Sequence, residues 1–357
     1  MKGKDFIFSI IITIFLFSGL FISCAEQSES RTYFSMGTVC TINLYEYGTK
    51  ERYDECEKCL KNIESKMTIT RNYASLNRII PGENEKMSEL ETASFYAGKK
   101  HVDLSDETIR VLKTALDYAE LTDSAFNPAI GPLVKLWNIT GDIPYLPSDE
   151  EIETVLPLCS WKNISLDESS RSLFLWKEGM IVDLGGIAKG YAADCLAELF
   201  TAWNLPKALV SLGGNVYAFG TKDKKGSAWK IGIKNPIESD EMPVIRLDVK
   251  NTSVVTSGIY ERFFEADGKR YHHILDSKTG KPVENDIASV SIICTNSMEA
   301  DVLSTSVLAL GKEKGMALLK SKTGVEGIII LKDRTILYTA GLKDKIIILD
   351  ERFSLIQ

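Results

Sequence analysis

Residues 182–194 carry the feature that most constrains the fold of this chain: an apolar run, a glycine pair and the start of a helix. The run over residues 180–184 predicts a short strand, and apolar side chains recur at helical spacing from Ala188 onward. Free backbone N–H groups at a helix start attract anions, and adjacent glycines let a phosphate approach the backbone closely. Lys189 adds a mobile positive charge in the first turn. Because the spacing fits neither the Walker A nor the GxGxxG pattern, a plain turn with a solvated lysine is an equal alternative.

The N-terminus has the form of a lipoprotein signal peptide. Lys2 and Lys4 precede an apolar run over residues 6–22, and a small residue stands directly before Cys24. The run is short and interrupted for a spanning helix, although an uncleaved anchor helix is an alternative. We therefore expect Cys24 to be lipidated and to hold the protein on the periplasmic side of the bacterial inner membrane. The expected division of the chain is a signal peptide over 1–23, a polar tether over 24–31 and one domain over 32–357.

Charge and cysteine usage exclude two classes of function. The formal net charge is −7, which makes the chain a poor candidate for binding nucleic acid. Cys56 and Cys59 form a CxxC inside a predicted helix over residues 51–67, so a zinc site is disfavoured and a disulfide between them would strain the helix. Three other cysteines lie in apolar patterns and are expected to behave as small core residues: Cys40, Cys195 and Cys294.

The remaining pattern predicts an α+β fold, a mixed α/β structure with a largely antiparallel sheet. Residues 68–104 are polar and predict irregular structure, and residues 124–137 predict a rigid loop because they contain two prolines and a glycine. A glycine pair at 213–214 interrupts an apolar strand over 208–219 and indicates a bulge or a close approach to a ligand. Ser297 is expected to cap a helix over 298–310.

Two groups of polar residues are candidates for chemistry. Asp301, Ser304 and Thr305 fall at i, i+3 and i+4 of the last-named helix, and their oxygens suit a hard cation such as Mg2+. Such a pair is often only polar surface, but the apolar residues beside it favour a cleft. His272 and His273 stand at a predicted strand end, where one of them could be a general base and where a purely structural histidine is also common.

Seven motifs in register resemble the ApbE family, the FAD:protein FMN transferases. The match spans roughly residues 32–312, and the motifs lie at 36–38, 126–133, 183–190, 212–215, 256–258, 273–280 and 300–305. The chain also looks like the treponemal-type lipoprotein branch, some of whose members hydrolyse FAD to FMN and AMP. The resemblance implies a fold of two lobes with a cleft that binds FAD. It also implies Mg2+ on the FAD diphosphate, transfer of FMN to a protein threonine and release of AMP.

The resemblance also implies roles for individual residues. Asp301 and Thr305 would bind Mg2+ through their side chains, and Gly186 would bind it through its carbonyl. His273 would be the base for the incoming hydroxyl, with Asp301 as the other member of the catalytic set. The FAD-binding residues implied are Met36, Ala125, Phe126, Asn127, Asp183 and Lys189.

The same resemblance implies the acceptor proteins, and it also shows where this sequence differs from the family pattern. Acceptor proteins would be exported or membrane-bound redox subunits, such as those of Rnf or sodium-translocating quinone reductase complexes. Asn127 stands where the family usually has aspartate, and the segment over residues 67–73 is shortened, leaving Tyr73 as the substitute for a flavin-stacking residue. Weaker retention of the flavin would favour hydrolysis of FAD. A FAD pyrophosphatase and a non-catalytic FAD-binding lipoprotein are therefore the alternatives.

Overall fold

The computed structural model describes residues 30–69, 87–141, 143–238 and 242–356. The expected signal peptide, Cys24 and Tyr73 lie outside the described residues. The first strand begins at Ser30, which is inside the range expected for the tether. Among the described residues, no helix combines the length and the apolar character that crossing a bilayer requires.

A nine-stranded sheet forms the centre of the molecule, in the order β1-β2-β6-β7-β10-β13-β14-β15-β17. All neighbouring pairs are antiparallel except β15 and β17. Smaller sheets have the orders β16-β9-β8, β3-β5-β4 and β11-β12. The strands are β1 Ser30–Ser35, β2 Thr38–Asn43, β3 Val102–Asp103, β4 Ile164–Asp167, β5 Ser172–Leu175, β6 Lys207–Leu212, β7 Asn215–Gly220, β8 Trp229–Lys234, β9 Pro243–Val249, β10 Thr252–Gly258, β11 Phe263–Ala266, β12 Lys269–His272, β13 Ile287–Cys294, β14 Glu326–Leu331, β15 Thr335–Tyr338, β16 Ile346–Ile348 and β17 Ser354–Ile356.

Helices cover one face of the central sheet, and the sheet of β8, β9 and β16 covers the other. The α-helices of the described residues are α1 Lys50–Met67, α2 Glu89–Phe95, α3 Asp106–Leu121, α4 Gly131–Trp137, α5 Asp149–Val155, α6 Ala188–Ala202, α7 Ser297–Leu310 and α8 Lys312–Ser321. Strand β13 is buried at all eight positions, because its two faces pack on different layers. Val290 and Ile292 contact the helical core, whereas Ile293 packs with the small sheet. The predicted α+β fold with a largely antiparallel sheet is therefore confirmed.

The strand predicted over residues 180–184 is wrong. This segment has no regular secondary structure and is not part of any sheet, and Asp183 N donates to Pro128 O at 2.8 Å. Met180 and Val182 are fully buried. Buried irregular segments and buried strands share the same apolar pattern, so periodicity alone does not separate them.

Four other local predictions are corrected. The glycine pair over 213–214 is a two-residue turn between β6 and β7 with positive φ at both residues, not a bulge within one strand. Residues 131–137 of the expected rigid loop are helix α4. Helix α2 lies in the region expected to be irregular, where Ser88 and Glu91 form a capping box. Asn296, rather than Ser297, caps helix α7 by accepting a bond from the N–H of Glu299.

Candidate active site

The starts of helices α6 and α7 touch through Gly190. A Cβ placed on Gly190 would lie 2.2 Å from Ser297 O and 2.7 Å from Asp301 Cβ, so only glycine permits this approach. The Gly190 N–H donates to Asp301 Oδ2 at 2.8 Å. Asp301 is only 2 % exposed. The bond from Gly190 N, in the first turn of α6, holds its carboxylate in place.

Lys189 faces the same carboxylate. Its Nζ lies 3.6 Å from Asp301 Oδ1 and donates to Gly185 O at 3.1 Å. The side chain of Lys189 is about one-fifth exposed, so its charge stays close to the surface of the site rather than in bulk solvent. The prediction of a lysine at an anion-attracting helix start thus has the geometry it requires. The alternative of a fully solvated lysine does not fit this burial.

Gly186 packs directly against Thr305 and Phe126. A Cβ on Gly186 would lie 3.3 Å from Thr305 Oγ1 and 3.1 Å from Phe126 Cε2. Ser257 on β10 holds the same stretch of α7, because its hydroxyl lies 2.7 Å from Ser304 Oγ and 3.5 Å from Thr305 Oγ1. The glycine turn, the Phe126 loop and the polar side of helix α7 therefore meet at one place.

The oxygen atoms gathered here suit Mg2+. The set consists of one carboxylate at Asp301, one hydroxyl at Thr305 and the peptide group of Gly186, all hard oxygen donors. Within the described ranges, no cluster of three or more His, Cys, Asp or Glu side chains could hold a metal alone. Mg2+ commonly keeps few protein ligands and completes its shell with substrate phosphates and water, so these residues fit that ion.

His273 is neutral, and the structure defines which of its nitrogens is free. Burial and the nearby Arg262 lower the pKa of His273 to about 3. Its Nδ1 lies 3.1 Å from the carbonyl oxygen of Arg262, which can only accept. In the neutral ring Nδ1 therefore carries the proton, and Nε2 presents the lone pair. His272 shows the opposite arrangement, because its Nε2 lies 3.0 Å from Val283 O.

Met36 is linked to His273 through Arg262. The Arg262 guanidinium donates to Gly37 O at 3.0 Å, and the backbone of Arg262 pairs with His273. On the other side of this turn, Glu64 of helix α1 accepts from Met36 N at 2.8 Å. Met36 has a φ of 52°, as expected in the tight two-residue turn between β1 and β2. This turn is thus fixed from both sides.

Asp183 and Asn127 differ in what their side chains can still bind. Asp183 Oδ1 accepts from Gly185 N at 2.7 Å, and burial raises the pKa of this carboxyl. Asn127 uses both of its polar groups within the protein, donating to Cys159 O of a distant segment at 2.7 Å and accepting from Ala129 N of its own loop at 2.9 Å. The roles of Asn127 and of the half-buried Ala125 in binding FAD remain predictions, and Asn127 would act by shaping the loop.

Glu261 is a site residue that sequence reasoning missed. Its Oε1 would lie 3.1 Å from a Cβ on Gly214, and burial raises its pKa from 4.5 to about 7. Lys189 and Arg262 oppose this rise in pKa, whereas Asp301 adds to it. Glu261 as a whole residue is exposed, whereas its carboxylate end lies against the Gly214 turn, where the surrounding protein removes water from it. A glutamate three residues beyond the motif at 256–258 was the only sequence signal.

We expect Glu261→Gln to flatten the dependence of stability on pH between about 4.5 and about 7. In this window the folded carboxyl keeps its proton, whereas the unfolded one has lost it. The folded state then binds more protons, so the wild type loses stability as pH rises through the window, and the glutamine variant lacks this loss. Melting temperatures of both proteins at about pH 5 and about pH 8 measure the effect. Equal changes in the two proteins would contradict the raised pKa.

Comparison with known proteins identifies a family and several relatives that this chain resembles. The model of the ApbE family matches residues 36–329. A Treponema pallidum protein named FAD:protein FMN transferase is 36% identical over 93% of this chain and 94% of its own length. A Klebsiella pneumoniae protein of the same name is 38% identical over 76% of this chain and 84% of its own length.

Solved structures give the same answer for the fold. The crystal structure of the ApbE protein from Thermotoga maritima superposes with a TM-score of 0.77, at 30% identity, over 89% of this chain and 98% of that one. A Pseudomonas stutzeri flavinyl transferase ApbE superposes with a TM-score of 0.70 at 27% identity, over 85% and 90% of the two chains. Both the sequence match and the shared fold lead to one conclusion: this chain belongs to the ApbE family.

Proposed function

We propose that this protein transfers FMN from FAD to a threonine or serine of an exported or membrane-bound redox protein and releases AMP. Subunits of Rnf or of sodium-translocating quinone reductase complexes are the acceptors that we expect. The observation that carries the proposal is the junction of helices α6 and α7, where Lys189, Asp301 and Thr305 meet the Gly186 turn. This arrangement suits a diphosphate together with a hard cation.

The chain's own groups would bind and orient the diphosphate. The N–H groups at the start of α6 and the Lys189 ammonium attract its negative charge. Gly186, Asp301 and Thr305 would hold Mg2+, which supplies charge neutralisation for phosphoryl transfer when it is bound. Phosphoryl transfer depends chiefly on position and charge, and both are provided here by buried, mutually bonded groups.

His273 is suited to take the proton of the attacking hydroxyl. The acceptor oxygen forms a bond to the FMN phosphorus, the bond from that phosphorus to the bridging oxygen breaks, and AMP leaves with that oxygen. The hydroxyl proton moves to Nε2 of His273, the nitrogen that the bond to Arg262 leaves as the acceptor. Arriving negative phosphates raise the pKa of this histidine and make it a better base.

Location is part of the same proposal. A signal peptide over residues 1–23 and a lipid on Cys24 would place the domain on the periplasmic side of the inner membrane, beside its membrane-bound acceptors. The charged start, apolar run and small residue before Cys24 support this. Metabolic labelling with a radioactive or clickable fatty acid tests it, because Cys24→Ala should abolish the label.

Incubation with FAD, Mg2+ and an acceptor domain tests the activity. We expect flavin fluorescence on the denatured acceptor band, and its loss when a chelator removes Mg2+, because the diphosphate charge is then not neutralised. The acceptor with its target threonine changed to alanine is the matched control. An unlabelled acceptor, beside one labelled by a related transferase in parallel, would contradict the proposal.

Hydrolysis of FAD is the second candidate, and the internal bonding of Asn127 favours it. This residue offers no charge to the flavin, so FMN can be retained less firmly and water can replace the acceptor hydroxyl. Chromatography of FAD reactions without acceptor separates the two functions, since only hydrolysis gives free FMN with AMP. A non-catalytic FAD-binding lipoprotein would leave FAD intact in both assays.

A further inference from the structure

Asp194, one turn beyond Gly190 on helix α6, binds the start of helix α7. Its two carboxylate oxygens accept from the N–H groups of Ser297 at 2.7 Å and of Met298 at 2.8 Å. These are the first two N–H groups of α7, and groups at this position have no partner within their own helix. A carboxylate from the neighbouring helix therefore completes the end of α7, where the helix dipole also favours negative charge.

This contact is one half of an exchange between the two helices. Helix α6 gives the N–H of Gly190 to the carboxylate of Asp301, and it receives the first N–H groups of α7 at Asp194. Each helix thus provides one carboxylate to the backbone of the other. Both carboxylates come from side chains, whereas both sets of donors are backbone groups, so the bonds fix the two helix backbones relative to each other.

Three contacts along this junction share one register. The positions that lie against each other are 186 and 305, 190 and 301, and 194 and 297. Each step is four residues forward along one segment and four residues back along the other, which is about one helical turn. The two segments therefore run in opposite directions, and a slide of either helix along the other would break all three contacts together.

Ser253 of β10 holds the start of α7 from another side. Its hydroxyl lies 2.8 Å from Ser297 Oγ, and both residues are fully buried. This bond ties α7 to the central sheet but not to α6. It supports the same helix start as Asp194 does, whereas the position of α7 along α6 depends on the bonds of Asp194 and Asp301.

We propose that Asp194 is a positioning residue of the flavin-transfer site, because it sets the register in which Asp301 and Thr305 face the Gly186 turn and Lys189. This inference rests on the proposed function. Groups that hold metal ligands in place change metal affinity or activity by about 10-fold to 100-fold when they are replaced. Since α7 already engages both oxygens of Asp194, this residue acts on the binding of Mg2+ and a diphosphate through the helix.

Calorimetric titration with Mg2+ and ADP tests this role, because ADP carries a diphosphate but cannot supply FMN. We expect Asp194→Asn to bind Mg2+ with ADP about 10-fold more weakly than the wild type, since the amide keeps one acceptor oxygen and loses the other. The complex of Mg2+ with ADP is negatively charged, so loss of a negative charge alone would strengthen its binding. Weaker binding thus reports a change of position rather than of charge.

Glu198→Gln and Ser253→Ala are the matched controls. Glu198 is exposed and lies one turn farther along α6, so its variant removes one negative charge from the same helix. Ser253→Ala loosens the start of α7 but leaves the bonds between the two helices, and it should lower the melting temperature. Both variants should bind Mg2+ with ADP within about twofold of the wild type. A loss in either control as large as that in Asp194→Asn would overturn the proposal, because charge or general loosening would then be sufficient.

Hydrogen exchange in the wild type needs no variant, so the test does not depend on a variant that folds. The N–H groups of Ser297 and Met298 should exchange far more slowly than those of an exposed loop, since both are bonded to the carboxylate. Exchange at the rate of an exposed loop would overturn the proposal, and so would unchanged affinity in folded Asp194→Asn. A wild type that binds no Mg2+ with ADP would contradict the proposed function, and this inference with it.

Discussion

Asp301→Asn is expected to lower FAD turnover by at least ~100-fold, the scale for loss of one preorganised electrostatic group. The substitution keeps the shape of the side chain and its ability to accept from Gly190 N, so the junction of α6 and α7 should persist. It removes the negative charge that faces Lys189 and that would bind Mg2+. Turnover measured by chromatography over a range of Mg2+ concentrations checks this result, and the variant should need much more Mg2+ than the wild type.

Glu299→Gln is the matched control because it removes one negative charge from the first turn of the same helix. Glu299 accepts bonds from Tyr118 and Lys322, neither of which is among the residues that meet at the Gly186 turn. We expect its turnover to stay within about twofold of wild type, since partly exposed pairs contribute little. Equal losses in Glu299→Gln and Asp301→Asn would show that helix charge in general matters, and the specific role of Asp301 would then be wrong.

Spacing along the chain was enough to predict part of the candidate site. The i, i+4 relation of Asp301 and Thr305 places them on one side of a helix wherever that helix lies. The position of Lys189 after a glycine pair likewise predicts a charged helix start. These are local properties, and local periodicity is what a single sequence displays most directly.

What the sequence could not provide was contact between distant segments. The bond from Gly190 to Asp301 and the approach of Glu261 to Gly214 both depend on how elements pack. The same limit explains the wrong strand over residues 180–184. The apolar pattern of these residues indicates that they are buried. Whether a buried segment pairs with a neighbouring strand depends on the rest of the fold.

Gly190→Ala is expected to destabilise the protein, although alanine is the better helix former by about 1 kcal/mol. The new methyl group would meet the backbone oxygen of Ser297 at 2.2 Å and the Cα of Met298 at 2.7 Å, and backbone atoms cannot rotate away. Overpacking of this kind costs about 3 kcal/mol at the upper end of the usual range. The free energy of unfolding should therefore fall by about 2 kcal/mol, measured by chemical denaturation.

The same substitution should lower FAD turnover by about 100-fold, because separating α6 from α7 moves Lys189 away from Asp301 and a misplacement of about 1 Å can cost that much. Gly226→Ala is the control. Its Cβ would contact nothing within 4 Å, and its φ of 77° limits the cost to ~1 kcal/mol of backbone strain with no change in turnover. Gly190→Ala could instead raise the free energy of unfolding by the ~1 kcal/mol that alanine gains over glycine in a helix. In that case the two helices could not pack as closely as described. The shared site at their junction would then lose its structural basis.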